Sequence, residues 1–126
     1  MFAHADILLF KDRKYKEAET IYNQILQIER EATPFDKSDR NTIDALNSLG
    51  YCIKFRTALQ DLIDDSPVLG KKGPGVFTQL KGLYEQALTL DGEDVEANFN
   101  LAGLYLQRKE PDSALRHFQA CVMKDQ

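Results

Sequence analysis

The chain is poor in the residues that mark disulfide scaffolds, membrane spans and phosphate-binding surfaces. Its 126 residues include only two cysteines, Cys52 and Cys121, whose separation matches no disulfide framework or metal-binding spacing. Lys and Arg total 16 against 20 Asp and Glu, and the net charge of −4 argues against general binding to nucleic acid or anionic membranes. No apolar run approaches the roughly 18 residues that a membrane-spanning helix needs. We therefore expect buried, reduced thiols, no nucleic-acid partner and no membrane insertion.

Motifs for catalysis, metal binding and phosphate binding are also missing. The two histidines, His4 and His117, stand near the N-terminus and within a helical pattern, and no HExxH, CxxC, GxSxG or EF-hand sequence occurs. The segment 70–75, GKKGPG, has the glycines of a phosphate cradle but neither the P-loop order nor a preceding strand. The favoured interpretation is a solvated loop, or one that touches a partner. The sequence predicts no enzymatic activity, no cofactor and no metal site, and a nucleotide-binding role at 70–75 is the least favoured alternative.

What the chain has instead is the composition of an ordered, soluble protein. Hydrophobic residues make up 43% and charged residues 29%, and there are only four prolines and seven glycines. The first residues, MFAHADILLFK, enter a helical pattern at once and carry no basic leader, so we expect a cytoplasmic protein.

Residues 97–121 show the clearest pattern, which is typical of two short amphipathic helices packed antiparallel. Apolar residues recur at helical spacing on both sides of the polar turn 107–112, and they are Leu101, Ala102, Tyr105, Ala114, Phe118 and Cys121. The small side chains of Ala102 and Ala114 allow the two backbones to approach, and Tyr105 and Phe118 fill the space beside them.

This pattern resembles the tetratricopeptide repeat, in which W-x2-L-G-x2-Y is followed by A-x3-F and then P. Other matching stretches are Leu46-x2-Leu49-Gly50-x2-Ile53 and Ala18-x3-Tyr22. Tyr84 and Phe118 are 34 residues apart, which is the family's own period, whereas Tyr22 and Tyr84 are 62 apart. The first spacing is similar to the longer repeat of kinesin light chains, with Asp39-Arg40-Asn41 where that family has His-Pro-Asp.

The resemblance implies an all-α, right-handed α-solenoid of three tetratricopeptide-like helix pairs in a single domain. Repeat 1 covers 1–30, a loop covers 31–40, and repeat 3 covers 94–124. Between them, an elongated and irregular repeat 2 covers 41–91 and contains an inserted loop at 66–75. We predict one long helix from about Asp39 to Asp64 within repeat 2, with a break near Arg56 as the alternative.

Single residues support these boundaries. Asp94 is a predicted N-cap of the helix that begins at Val95, and Pro111 suits the first turn of the last helix. Gly50 stands where the two helices of a pair approach most closely. Asp6 stands at the corresponding position of repeat 1, which implies either a register slip of one residue or a solvated carboxylate.

The same resemblance implies a concave groove, lined by the first helix of each pair, where a partner protein binds. The residues carried over to that groove are Ile7, Phe10, Lys11, Asn47, Tyr51, Lys54, Phe99, Leu106 and Gln107, with Phe55 and Glu96 beside them. Apolar side chains at exposed positions favour protein–protein interaction, since a monomer gains nothing from exposing them. The alternative is that Phe10, Tyr51 and Phe99 pack against neighbouring helices.

Cochaperones that resemble this family hold the C-terminal carboxylate of a heat-shock chaperone with Lys, Asn and Arg side chains. The matching positions here are Ala3, Ile7, Ser48, Glu96 and Asn100, and none supplies the required side chain, so we do not expect chaperone-tail binding. The expected function is a protein–protein interaction module or scaffold that binds a peptide or helix of an unidentified partner. The alternative is homo-oligomerisation, or stacking against further repeats, through an open C-terminal helix face.

Overall fold

The computed structural model describes residues 2–32, 40–67 and 74–124, which form helices joined by short connections. The helices are α1 (Phe2–Asp6), which continues as a π-helical turn (Ile7–Lys11), α2 (Tyr15–Ala32), α3 (Arg40–Phe55), α4 (Leu59–Asp64), α5 (Val76–Leu90), α6 (Val95–Gln107) and α7 (Pro111–Lys124). Within these ranges no strand forms, and the extended pairing is an isolated antiparallel bridge between Pro67 and Gly75. The prediction of an all-α fold is confirmed.

The predicted long helix is wrong, and its alternative, a break near Arg56, is confirmed. Helix α3 ends at Phe55, and α4 begins at Leu59 after Ala58, whose backbone is extended. The cause lies at Thr57, whose hydroxyl donates to the Ile53 carbonyl at 2.5 Å while its N–H turns to the Lys54 carbonyl at 3.2 Å. These bonds tighten the last turn and compete with the α-helical ladder, so the helix stops there.

The two predicted loops lie partly outside the described residues. At the ends of the predicted loop 31–40 the chain is helical, since α2 continues through Ala32 and α3 begins at Arg40. Residues 33–39 of this predicted loop lie outside the described residues. Within the predicted inserted loop 66–75, residues 68–73 lie outside the described residues, and these include most of the segment 70–75 considered for phosphate binding.

The ends of the inserted loop are joined by hydrogen bonds around Asp65. The Asp65 carboxylate accepts from the N–H of Thr78 at 2.9 Å and from its hydroxyl at 2.6 Å. Burial alone would raise the pKa of Asp65, but these bonds lower it overall. A Cβ at Gly75 would lie 1.8 Å from the Asp65 carbonyl oxygen, so the close approach of the two segments requires glycine. The end of α4 is thereby held beside the start of α5.

The structure of the N-terminal helix shows the surroundings of Asp6, for which the sequence left a register slip or a solvated carboxylate as alternatives. Asp6 is half-buried and accepts a hydrogen bond from the hydroxyl of Tyr22, so the expectation of a solvated carboxylate is wrong. The π-helical turn that follows widens the helix, and Leu8 and Leu9 both become buried. The same turn leaves Ile7 and Phe10 exposed. The departure from regular α-helix thus falls within Ile7–Lys11, which contains the predicted groove residues Ile7, Phe10 and Lys11.

Apart from the short helix α4, which packs on α5 and α6, each helix packs on the helices before and after it in the chain. Helix α2 packs on α1 and α3, α5 packs on α3 and α6, and α7 packs on α6. The core between these helices is apolar, and its largest fully buried side chains include Tyr22, Leu46, Leu80, Tyr84 and Leu101. Gly50 allows α3 and α5 to approach closely, since a Cβ there would lie 2.7 Å from Cζ of Tyr84.

Helices α3 and α6 lie side by side and run parallel. At their N-terminal ends, the Arg40 guanidinium contacts the Asp94 carboxylate at 2.7 Å. Towards their C-terminal ends, Nζ of Lys54 lies 3.6 Å from the place that a Cβ of Gly103 would occupy. Asp94 caps α6 by accepting from the N–H of Ala97 at 3.0 Å, and α7 begins at Pro111, so both predicted helix starts are confirmed.

Candidate partner-binding surface

Four aromatic rings meet at the surface between the π-helical turn, the start of α2 and the end of α3. Ring centroids are 5.4 Å apart for Phe10 and Tyr51, 4.1 Å for Tyr51 and Phe55, and 6.0 Å for Tyr15 and Phe55. Phe10 is 61% exposed and Phe55 51% exposed, although both belong to this cluster. We call these four residues the aromatic patch. Such a contiguous exposed apolar surface is typical of an interaction site.

Lys54 lies next to the aromatic patch and reaches across to α6. It is half-buried, and within the described residues no carboxylate lies within ion-pairing distance of its ammonium group. Burial lowers the pKa of Lys54. Lys54 therefore brings a positive charge to the surface between α3 and α6, and no carboxylate of the described residues pairs with it.

The side of α6 that faces Lys54 carries two polar groups without partners. Nδ2 of Asn100 and Oε1 of Gln107 are buried atoms that form no hydrogen bond within the described chain. Asn100, Gly103 and Gln107 share one side of α6, because residues three and four apart are neighbours on a helix surface. We call Lys54, Asn100, Gly103 and Gln107 the Lys54 site. Buried polar atoms are almost always paired, so these two groups call for an explanation.

Phe99 lies at the other end of α6 and is 59% exposed. Its ring packs edge-on against Phe118 of α7, with centroids 5.9 Å apart, and it lines a shallow cleft with Arg40, Asp91 and Glu96. Partial burial, followed by the neighbouring carboxylates of Asp94 and Asp44, raises the pKa of Glu96. The N-terminal end of this surface is thus acidic, whereas its C-terminal end carries Lys54.

Asn47 does not belong to the surface, which corrects its prediction as a groove residue. Its side chain is fully buried, and Nδ2 donates to Asp94 at 2.9 Å. Asp94 is itself buried and also accepts from Arg40 and from the N–H of Ala97. Burial alone would raise the pKa of Asp94, but these hydrogen bonds lower it overall. Asn47 therefore fastens α3 to the start of α6, and a partner cannot reach it.

The remaining predicted residues are on the surface but do not all meet. Ile7 and Lys11 are exposed in the same π-helical turn as Phe10, and Leu106 is exposed next to Gln107. Phe10, Tyr51 and Lys54 come together, whereas Phe99 contributes to the acidic end. Sequence reasoning missed Tyr15, because its ring reaches the patch only through the turn between α1 and α2. It also missed Asn100, since only the fold shows that Nδ2 of this amide is buried and forms no hydrogen bond with the described residues.

A second apolar surface lies on α7. Leu115 and Val122 are 55% and 58% exposed, and they line a shallow cleft with Phe118 and Gln119. In the repeat pattern Phe118 corresponds to Tyr22 and Tyr84, both of which are fully buried beneath the neighbouring helices. The outer side of α7 is therefore less covered than the corresponding sides of α2 and α5.

Comparison of the chain with protein-family models, with curated proteins and with solved structures finds no significant match. Within the described residues, no helix combines the length and apolar character needed to cross a membrane. The same residues contain no group of three or more His, Cys, Asp and Glu side chains placed to hold a metal ion.

Proposed function

We propose that the chain is a tetratricopeptide-like α-solenoid that binds an extended peptide or a helix of another protein on its α3–α6 face. The successive packing of α1, α2, α3, α5, α6 and α7, with α3 and α6 parallel, supports the solenoid arrangement. The observation that carries the binding proposal is the aromatic patch beside Lys54. Large apolar side chains exposed around a charged group provide the anchors that protein interfaces use.

The free energy expected from burying Phe10 and Phe55 under a peptide corresponds to a moderate binding affinity. Fully burying one large apolar side chain contributes about 1.5 to 3 kcal/mol, and Phe10 and Phe55 still expose about half of their surface. Ordering the peptide offsets part of this gain. Loss of both rings should therefore weaken binding at least tenfold, which corresponds to about 1.4 kcal/mol.

The test uses a phage-displayed library of random peptides selected on the wild-type chain. Selected peptides, made synthetically, should bind the Phe10→Ala/Phe55→Ala variant at least tenfold more weakly by isothermal titration calorimetry. Ile28→Ala is the matched control, because Ile28 is 49% exposed but lies about 20 Å along α2 from Tyr15. Circular dichroism first establishes that both variants are folded. Failure to enrich any peptide, or equal affinity for both variants, would refute a binding role for the patch.

The exposed outer side of α7 favours a second function, which is association with a second copy or with further repeats. Leu115 and Val122 are both more than half exposed, and Phe118 between them is only partly buried, whereas the corresponding Tyr22 and Tyr84 are fully buried. If this surface mediates self-association, the molar mass measured by light scattering should rise with concentration, and Leu115→Glu/Val122→Glu should abolish the rise. A monomeric mass at all concentrations would exclude self-association.

A further inference from the structure

The end of the α3–α6 face at which both helices begin has more carboxylates than cations. One guanidinium, that of Arg40, lies among five carboxylates, which belong to Asp44, Asp91, Glu93, Asp94 and Glu96. Arg40 pairs with three of them, and no cation of the described residues lies within ion-pairing distance of Glu96. Partial burial and the carboxylates of Asp94 and Asp44 raise the pKa of Glu96, so a further cation at this acidic end would be favourable.

The opposite end of this face, where α3 finishes, is basic. Ring contacts within the aromatic patch place the turn 11–16 beside the end of α3. Four of the six residues in this turn are cationic and one is acidic, and the exposed cationic side chains are those of Lys11, Arg13, Lys14 and Lys16. Lys54 adds a positive charge from α3, and no carboxylate of the described residues pairs with it or with the cations of the turn. This basic end therefore has surplus positive charge, although the whole chain carries −4.

Large aromatic side chains are exposed at both ends of the face. At the basic end Phe10 is 61% exposed and Phe55 51% exposed, and at the acidic end Phe99 is 59% exposed. Phe99 lines a cleft of about 480 Å³, a volume within the range of sites that hold a small ligand, so an aromatic side chain fits there. Contact between a basic end and an acidic end would therefore bury rings from both, in addition to pairing their charges.

The face is complementary to itself when its ends are exchanged. In a pair related by a two-fold axis that crosses the face, the basic end of each copy lies on the acidic end of the other, and every contact occurs twice. Asp44 and Lys54 are ten residues apart on α3, about 15 Å, so the two sets of contacts belong to one continuous interface. Charge repulsion disfavours the orientation that places like ends together. A second copy of the chain thus supplies both the charges and the rings that each end would contact.

We propose that the α3–α6 face binds the same face of a second copy of this chain, with the basic end of each copy on the acidic end of the other. This inference goes beyond the proposed function and does not depend on it. Because the pair covers the aromatic patch, a peptide that binds there displaces the second copy. Pairing then regulates access to the patch, since the chain is paired at high concentration and open to peptides when it is dilute.

Light scattering and sedimentation velocity over a range of protein concentrations measure the pairing. The molar mass should rise from 14.4 kDa towards twice this value and no further, because a two-fold interface closes on itself. Raising the salt concentration from about 50 to about 500 mM should weaken the pairing about tenfold, since the contacts are between charged groups at the surface. Association through the apolar side of α7 would not weaken in this way.

Charge reversal at each end gives the decisive measurement. Lys54→Glu and Glu96→Lys should each weaken pairing about tenfold or more, because each places like charges together at both contacts of the pair. An equimolar mixture of the two variants should pair as strongly as wild type, since every reversed charge then meets its opposite. Recovery in the mixture also shows that both variants are folded.

Two control variants lie outside the face. Lys81→Glu makes the same change in net charge as Lys54→Glu, but Lys81 lies on α5 and pairs with Glu85, so pairing of the chain should be unchanged. Leu115→Glu/Val122→Glu alters the exposed side of α7 and should also leave the pairing intact.

A monomeric mass at all concentrations, or failure of the mixed charge-reversal variants to pair, would overturn the proposal and leave the peptide selection to decide the proposed function. If Leu115→Glu/Val122→Glu abolishes association while Lys54→Glu and Glu96→Lys behave as wild type, the second copy binds α7 and the pairing of α3–α6 faces is wrong. A mass that rises well beyond two chains would likewise refute a closed two-fold pair.

Discussion

Replacing Gly50 with alanine isolates the contact between α3 and α5. A Cβ at this position would lie 2.7 Å from Cζ of Tyr84 and 2.8 Å from its Cε1 and hydroxyl oxygen, and Tyr84 is fully buried. Forcing a methyl group into such a packed core costs about 1 to 3 kcal/mol. Alanine is also favoured over glycine within a helix by about 0.8 to 1 kcal/mol. Gly50→Ala should therefore lower the free energy of unfolding by roughly 0 to 2 kcal/mol.

Gly82 supplies the matched control for this substitution. It lies within α5, and a Cβ there would meet nothing within 4 Å, so Gly82→Ala should stabilise the protein by about 0.8 to 1 kcal/mol. The helix preference cancels in the difference between the two variants, which leaves the clash alone at about 1 to 3 kcal/mol. Urea unfolding followed by far-UV circular dichroism measures both values. If Gly50→Ala stabilises the protein as much as Gly82→Ala does, the close packing of Tyr84 on α3 is refuted.

Substitutions at two further positions test the polar interior. Asp94→Ala removes the N-cap of α6 and leaves the Nδ2 group of the buried Asn47 without its carboxylate partner. It should therefore lower the free energy of unfolding, measured by urea titration, by about 2 to 4 kcal/mol. An unchanged unfolding midpoint would contradict this role of Asp94. The pKa of Asp94 is lowered in the folded state, so its contribution is complete above its unfolded pKa of about 4 and is lost as the pH falls through the folded value. The stability of Asp94→Asn should therefore fall less steeply than that of wild type as the pH is lowered below about 4. Tyr84→Phe removes a buried hydroxyl that has no hydrogen-bond partner in the described chain. Thermal melting should therefore show a free energy of unfolding that is unchanged or higher by up to about 1 kcal/mol. A clearly lower free energy of unfolding would contradict the absence of a partner for that hydroxyl.

The helices and several of their ends follow from local chemistry and were predictable. Apolar spacing in 97–121 identified α6 and α7, Asp94 was recognised as a cap, and Pro111 as a first-turn residue. The apolar pattern continues through Leu59 and Leu62 and therefore favours one long helix over a break after Phe55. The break depends on the hydrogen bonds of Thr57 to the carbonyls of Ile53 and Lys54, which the apolar pattern does not show. The repeat pattern also did not reveal the π-helical turn at Ile7–Lys11, which arises where Asp6 occupies a position suited to a small residue.

The position of the aromatic patch follows only in part from the sequence. The resemblance to the repeat family placed Phe10, Tyr51 and Lys54 on first helices, and the fold brings the rings of Phe10 and Tyr51 together with those of Phe55 and Tyr15. The same reasoning placed Asn47 in the groove, but a buried carboxylate 47 residues later in the chain takes its amide. Short-range spacing shows which side of a helix a residue occupies and does not show which distant group lies opposite.

The sequence by itself therefore determined the helical composition, the pairing of α6 with α7, the N-cap at Asp94 and the close-approach glycine at Gly50, because these depend on spacing and on backbone preferences within a few residues. Only the tertiary structure decided which side chains are available to a partner. The parallel alignment of α3 with α6 buries Asn47 against Asp94 and places Lys54 over Gly103. Among the described residues, Lys54 has no carboxylate partner, and Nδ2 of Asn100 and Oε1 of Gln107 have no hydrogen bond. The physical reason is that burial and charge balance are set by contacts between residues far apart in the chain, and these contacts form only when the helices pack.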